Sequence, residues 1–131
     1  MNIYCDGCFD LIHYGHFMYL KNAKSKGSKL IVGIHNDKAI ESYKRTPILT
    51  MEQRIPMIEG CKYVDEIISN APLVVTNEFV KDHKINAIVI PSNRKQDEIN
   101  EWYGKINVPI IVLPYTNEIS TSAIIEKLKF N

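Results

Sequence analysis

Five short apolar runs, each followed by a stretch suited to a helix, constrain this chain more than any other feature of it. Ile3-Tyr4-Cys5 is the first; residues 29–35 (KLIVGIH), 64–68 (VDEII), 87–90 (AIVI) and 109–113 (PIIVL) are the others. Residues 29–35 are apolar almost throughout, the pattern of a strand covered on both faces. Helical stretches lie between and after the runs. Residues 14–26 place Phe17, Leu20 and Ala23 on one face, and Gly27 is a stop signal. Thr50 and Gln53 form a Thr-x-x-Gln capping box that opens a helix reaching to about residue 60. Residues 37–43, 77–83, 98–104 and 121–130 supply the remaining helices. Strands alternating with helices predict an α/β fold, a doubly wound parallel five-stranded sheet. With 131 residues and no linker, repeat or low-complexity stretch, one domain over residues 1–131 is expected.

Composition narrows the partners. Sixteen lysines and arginines against fifteen acidic residues leave a formal charge of +1. No global field then draws in nucleic acid or an acidic membrane, and any phosphate must be handled by a local site. No apolar run approaches the ~18 residues of a membrane span. Met1-Asn2-Ile3-Tyr4-Cys5-Asp6 also lacks the basic-then-apolar pattern of a signal peptide, so a cytoplasmic protein is expected. Cys5 and Cys8 have the C-x-x-C spacing of a redox pair or half a zinc site. A zinc site needs two more ligands and only Cys61 remains, so no metal site is predicted and reduced thiols are expected.

In an open parallel sheet, ligands sit beyond the carboxyl ends of the strands. The first such end carries Cys8-Phe9-Asp10-Leu11-Ile12-His13-Tyr14-Gly15-His16. His13 and His16 share a face at a helix start, where unpaired backbone N–H groups and the helix dipole favour an anion. Two imidazoles there could donate hydrogen bonds to a polyphosphate; the spacing alone is equally compatible with a structural role. Gly15 removes a side chain between them and allows close approach of backbone to ligand. The zinc pattern His-Glu-x-x-His is absent.

His13-Tyr14-Gly15-His16 matches the His-x-Gly-His motif of the cytidylyltransferase-like nucleotidyltransferases. The longer stretch over residues 5–16 (CDGCFDLIHYGH) resembles the ethanolamine-phosphate cytidylyltransferases in particular, with the choline-phosphate enzymes next. Residues 30–37 (LIVGIHND) are similar to the family's second strand. Tyr63-Val64-Asp65-Glu66-Ile67-Ile68 is similar to its Tyr-Val-Asp-Glu-Val segment, and Ile119-Ser120-Thr121-Ser122 to its late Ile-Ser-Thr-Ser/Thr motif. The resemblance spans nearly the whole chain in the family's order and implies a Rossmann-like nucleotidyltransferase fold. It also implies that an acceptor phosphate attacks the α-phosphorus of CTP in line, pyrophosphate leaves, and no covalent enzyme intermediate forms.

By that resemblance His13, His16 and Lys44 are catalytic, the histidines holding phosphate and the lysine gripping it. Taken alone, Lys44 is also compatible with a solvated surface residue. Cys8, Phe9, Gly15, Thr116, Ile119, Ser120 and Thr121 would bind nucleotide; Ser120 and Thr121 can equally cap the last helix, and the two roles are compatible. Arg54 would support the site or a dimer, and Arg45 is a reserve phosphate ligand. Mg²⁺ is expected with the triphosphate, and a homodimer through residues 63–68. Asp6 and Tyr14 would bind the acceptor. The choline and ethanolamine enzymes carry an aspartate at the Asp6 position facing the cationic head, although an Asp-Gly turn residue is the plain alternative. A quaternary ammonium also favours an aromatic cage, yet Leu73 follows Ala71-Pro72 where choline enzymes have an aromatic. Trp102 and Tyr103 could supply ring faces or simply pack a helix.

CTP and a phosphorylated amino alcohol are thus the expected partners: phosphoethanolamine first, then phosphocholine, with glycerol-3-phosphate a further alternative. Relatives have an arginine on phosphate where this chain has Tyr115, a position for which Arg94 or Lys95 could compensate. A nucleotide-binding homologue with reduced or lost turnover, and an adenylyltransferase, are the competing readings.

Overall fold

The computed structural model describes residues 1–114 and 121–129. Along the chain these form β1 (Asn2–Gly7), α1 (Tyr14–Lys24), β2 (Lys29–Ile34), α2 (Asp37–Glu41), α3 (Met51–Glu59) and β3 (Glu66–Ser69). There follow α4 (Asn77–Asp82), β4 (Ala87–Pro91), α5 (Gln96–Tyr103), β5 (Ile110–Leu113) and α6 (Thr121–Lys129). The five strands make one parallel sheet in the order β3-β2-β1-β4-β5. The chain winds outward from β1 through β2 to β3, then returns to the other side of β1 for β4 and β5. The order therefore reverses between β1 and β4, and at such a switch point the two strand ends diverge and leave a crevice.

Both faces of the sheet are covered, which explains the near-continuous apolar runs. Ile3, Cys5, Leu30, Val32, Ala87 and Val89 point into a cluster with Leu20 and Ala23 of α1 and Ile58 of α3. The alternate residues Tyr4, Ile31, Ile88 and Ile90 point the other way, towards Val80 of α4 and Trp102 and Tyr103 of α5. Gly33 is needed in β2 because a Cβ there would collide with the Tyr4 hydroxyl crossing beneath it.

Most boundaries fall within two residues of the sequence reading, and the capping box of α3 is present as predicted: Thr50 Oγ1 accepts from Gln53 N and Gln53 Oε1 from Thr50 N. The third strand starts at Glu66 rather than residue 64, because Val64 N turns back onto the Cys61 carbonyl and the Asp65 carboxylate accepts from Leu30 N at 2.7 Å. Helix α5 starts at Gln96, two residues before the predicted 98, with Lys95 as an N-cap that makes no side-chain hydrogen bond. The usual sequence signal for a helix start was therefore absent. Among the described residues no helix is long and apolar enough to cross a membrane.

Candidate active site

The loop leaving β1 crosses the mouth of the crevice in an unusual conformation. Phe9 (φ 54°) and Leu11 (φ 47°) both lie in the left-handed region, which costs about 1–2 kcal/mol at a residue with a side chain. Asp10, between them, holds the loop in place. Its buried carboxylate accepts from Ile48 N (2.7 Å) and Leu49 N (2.9 Å), with Arg45 Nη2 at 3.5 Å. Its carbonyl accepts the Thr121 hydroxyl at 2.7 Å. One residue thus clamps the β1 loop, the segment before α3 and the start of α6. Nothing in the local sequence around Asp10 signals this role, since every partner is remote.

Arg54 makes the second clamp. It is fully buried, its Nη1 donating to the carbonyls of Cys8 (2.8 Å) and His35 (2.9 Å), its Nε to Leu49 O and its Nη2 to Asp37 Oδ1 (2.6 Å). It joins the ends of β1 and β2 to the entry of α3, beneath the cleft.

His13 is the N-cap of α1, and with His16 it forms a capping box made of two imidazoles. His13 Nδ1 accepts from Gly15 N (3.0 Å) and His16 Nδ1 from His13 N (3.3 Å), the ring centroids lying 4.0 Å apart. An imidazole nitrogen that accepts carries no proton, so in the neutral ring the hydrogen sits on Nε2. Nδ1 of each ring is thus taken up in capping the helix, which leaves Nε2–H of each as the ring's remaining donor.

Electrostatics keep both rings neutral. Burial first, and then Lys44, lower His13 from its ordinary value. Burial, then His13 and Lys44, push His16 down to about 3. In the unfolded chain these rings titrate near 6.5, so below that pH the unfolded state binds more protons than the folded one. For His16 the stability this represents is whole above about pH 6.5 and drains away as pH falls towards 3. Urea midpoints of the wild type are expected to fall between about pH 7 and pH 5, and less steeply in His16→Gln. Equal pH slopes in the two proteins would show that His16 does not titrate differently in the folded state.

These elements surround a cleft of ≈ 440 Å³ at the switch point, lined by Cys8, Phe9, His13, Gly15, His16 and Lys44. Thr121 and Ser122 of α6 close one side, and Asp6 and Arg94 another. Of the acceptor-binding residues expected from sequence, Asp6 lies at the cleft, whereas Tyr14 is 57% exposed and does not line it. Thr116, Ile119 and Ser120, together with Tyr115, lie outside the described residues.

Asp6 is more deeply engaged than its place in an Asp-Gly pair suggests. Its Oδ1 accepts the Tyr103 hydroxyl at 2.5 Å, and the Tyr103 oxygen in turn accepts from Arg94 Nη1 at 2.7 Å. Burial and then the Asp6 charge raise the Tyr103 phenol far above its ordinary value, which keeps its proton available to Asp6. His35, whose Nδ1 lies 2.8 Å from the Tyr43 hydroxyl, places Nε2 3.5 Å from Asp6 Oδ2.

The family model described as "Cytidylyltransferase-like" matches residues 4–127, a span that includes every clamp and both histidines. The chain belongs to the cytidylyltransferase-like family. Among relatives of this cytidylyltransferase-like chain, ethanolamine-phosphate cytidylyltransferase of Mus musculus is 40% identical over 89 residues, covering 68% of this chain and 22% of the relative. Choline-phosphate cytidylyltransferase of Saccharomyces cerevisiae is 37% identical over 134 residues, covering 98% of this chain and 31% of the relative. The chain thus spans about a fifth to a third of the length of these enzymes. Among solved structures, the lipopolysaccharide core biosynthesis protein of Thermoplasma volcanium superposes with a TM-score of 0.73 at 27% identity, covering 89% of this chain and 98% of that one. The fold expected of a cytidylyltransferase-like chain is therefore the fold observed.

Proposed function

We propose that this chain transfers CMP from CTP to a phosphorylated small alcohol, releasing pyrophosphate and the CDP-alcohol, with phosphoethanolamine as the leading acceptor. The observation that carries the proposal is the imidazole pair. Two neutral rings are held by their own Nδ1 atoms so that two Nε2–H donors remain for phosphate, beside Lys44 and at the switch-point end of β1. Donors fixed before the substrate arrives need no reorganisation when charge develops around the α-phosphorus.

In this reading an acceptor phosphate oxygen bonds to the α-phosphorus as the bond to the β-phosphate oxygen breaks. His13 and His16 donate to the phosphoryl oxygens and Lys44 balances their charge. The protein supplies position and electrostatics, and no side chain becomes a covalent intermediate. The homologues named as ethanolamine-phosphate and choline-phosphate cytidylyltransferases support the choice of CTP and of a phosphorylated amino alcohol. A homodimer through residues 63–68 belongs to the same reading, supported by the likeness of that segment to the family's.

Asp6 at the cleft and Asp10 in the β1 loop leave one carboxylate oxygen without a hydrogen bond, Asp6 Oδ2, too few ligands for a resident divalent ion. Both Asp10 oxygens are taken by backbone N–H groups, and Asp6 Oδ1 by Tyr103. Mg²⁺ enters as the counter-ion of the triphosphate, bound by phosphate oxygens and water.

Pyrophosphate release tests the proposal with CTP and Mg²⁺ and separate additions of phosphoethanolamine, phosphocholine and glycerol-3-phosphate. Release with phosphoethanolamine and CTP, and much less with ATP, is the expected result. Silence with all three acceptors despite CTP binding would replace the transferase with a nucleotide-binding homologue.

A further inference from the structure

Beside the histidines, Asp6 and Arg94 of the cleft wall belong to a second arrangement that the transfer step does not use, backed by the buried rings of Trp102 and Tyr103. The Asp6 side chain, 1% exposed, has the Arg94 guanidinium 3.9 Å from its Oδ1. The guanidinium carbon lies 5.2 Å from the ring centroid of Trp102 and 5.8 Å from that of Tyr103. A carboxylate beside aromatic faces is the array that recognises an organic cation in water. Here the cation in that array belongs to the chain itself. Arg94 sits in the loop between β4 and α5, lines the cleft, and keeps 13% of its side chain exposed.

We propose that Arg94 sets the head-group specificity of the acceptor pocket, its guanidinium standing where a quaternary ammonium would sit among Asp6, Trp102 and Tyr103. A trimethylammonium has no N–H to donate and binds through ring faces, which Arg94 covers. To enter, it must displace a guanidinium that also loses its hydrogen bond to Tyr103. A primary ammonium is smaller and can donate to a carboxylate without a cage. Arg94 thus favours phosphoethanolamine over phosphocholine. The biological use of this selectivity rests on the transferase reading; the pocket chemistry does not.

Trp102 is the single tryptophan of the chain, so its fluorescence reports this pocket. Wild type, Arg94→Gln and Arg94→Met would each be titrated with choline and with ethanolamine, head groups without a phosphate for Arg94 to bind. Choline is expected to bind about tenfold more tightly to both neutral variants, and ethanolamine to gain clearly less. Two neutral side chains of different polarity guard against a folding defect in one of them, with thermal unfolding as the control. No gain for choline in a folded variant would overturn the proposal. An equal gain for both probes would also overturn it, because it would show a charge effect without head-group selection. Pyrophosphate release is read separately. Absence of turnover with every phosphorylated amine would remove the transferase reading and leave the choline titration to decide the role of Arg94.

Discussion

Replacing His16 by alanine is expected to lower kcat for CMP transfer by about 100-fold or more, the cost of removing one preorganised donor from a developing charge. The fold should survive with a loss of about 1 kcal/mol, because His16 Nδ1 also accepts the His13 N–H in the capping box of α1. His16→Gln separates the two roles. Glutamine at this position can still reach back to the N-cap N–H, as in an ordinary capping box. It should recover most of the lost stability and little of the lost rate. Pyrophosphate release and urea unfolding on the same two variants measure both quantities. If the rate of His16→Ala stayed within a few-fold of wild type, the imidazole pair would be a cap and nothing more.

Arg54→Met should destabilise the protein by about 3–5 kcal/mol, the largest stability effect expected at a single position. The Cys8 and His35 carbonyls both lose their Arg54 donor, and an unsatisfied buried carbonyl costs about 1–3 kcal/mol. The ion pair with Asp37 is the smaller part, since the Asp37 side chain is 49% exposed and water screens it. Asp37→Asn, which keeps an oxygen for Arg54 Nη2, should therefore cost less than about 1 kcal/mol. Urea unfolding of the two variants side by side checks this ordering. Similar losses in both would mean that the salt bridge, rather than the strand-end carbonyls, is what Arg54 serves.

Much of the fold was legible in the sequence because its signals are local. The apolar runs at residues 29–35 and 87–90 became β2 and β4, buried on both faces, and the Thr50 capping box became the start of α3. The third strand and α5 were misplaced by two residues where a turn hydrogen bond and an uncapped helix start replaced the usual signals. The site divided in the same way. His13, Gly15, His16 and Lys44 were picked out by motif and resemblance, and the structure brings them to one cleft. Asp10 had no local signal at all. The resemblance marks Arg54 as support for the site or a dimer, but its burial and its grip on two strand ends depend on residues remote in sequence. The sequence offers Arg94 only as a stand-in for the arginine missing at Tyr115, and it is equally compatible with Trp102 and Tyr103 as ring faces or as helix packing. Tyr14, expected at the acceptor, is exposed and is not among the residues that line the cleft.

Local signals along the chain fix the kind and order of the elements and the place of the histidine pair. Hydrophobic periodicity, capping and motif spacing act over a few residues and can be read without knowing where the chain returns. What surrounds that pair depends on long-range packing. Asp10 meets Ile48 across 38 residues, Asp6 meets Tyr103 across 97, and Thr121 meets Asp10 across 111. Such partners become neighbours only when the sheet reverses its winding between β1 and β4, so the charge balance of the pocket, with Arg94 in front of Asp6, is a property of the topology.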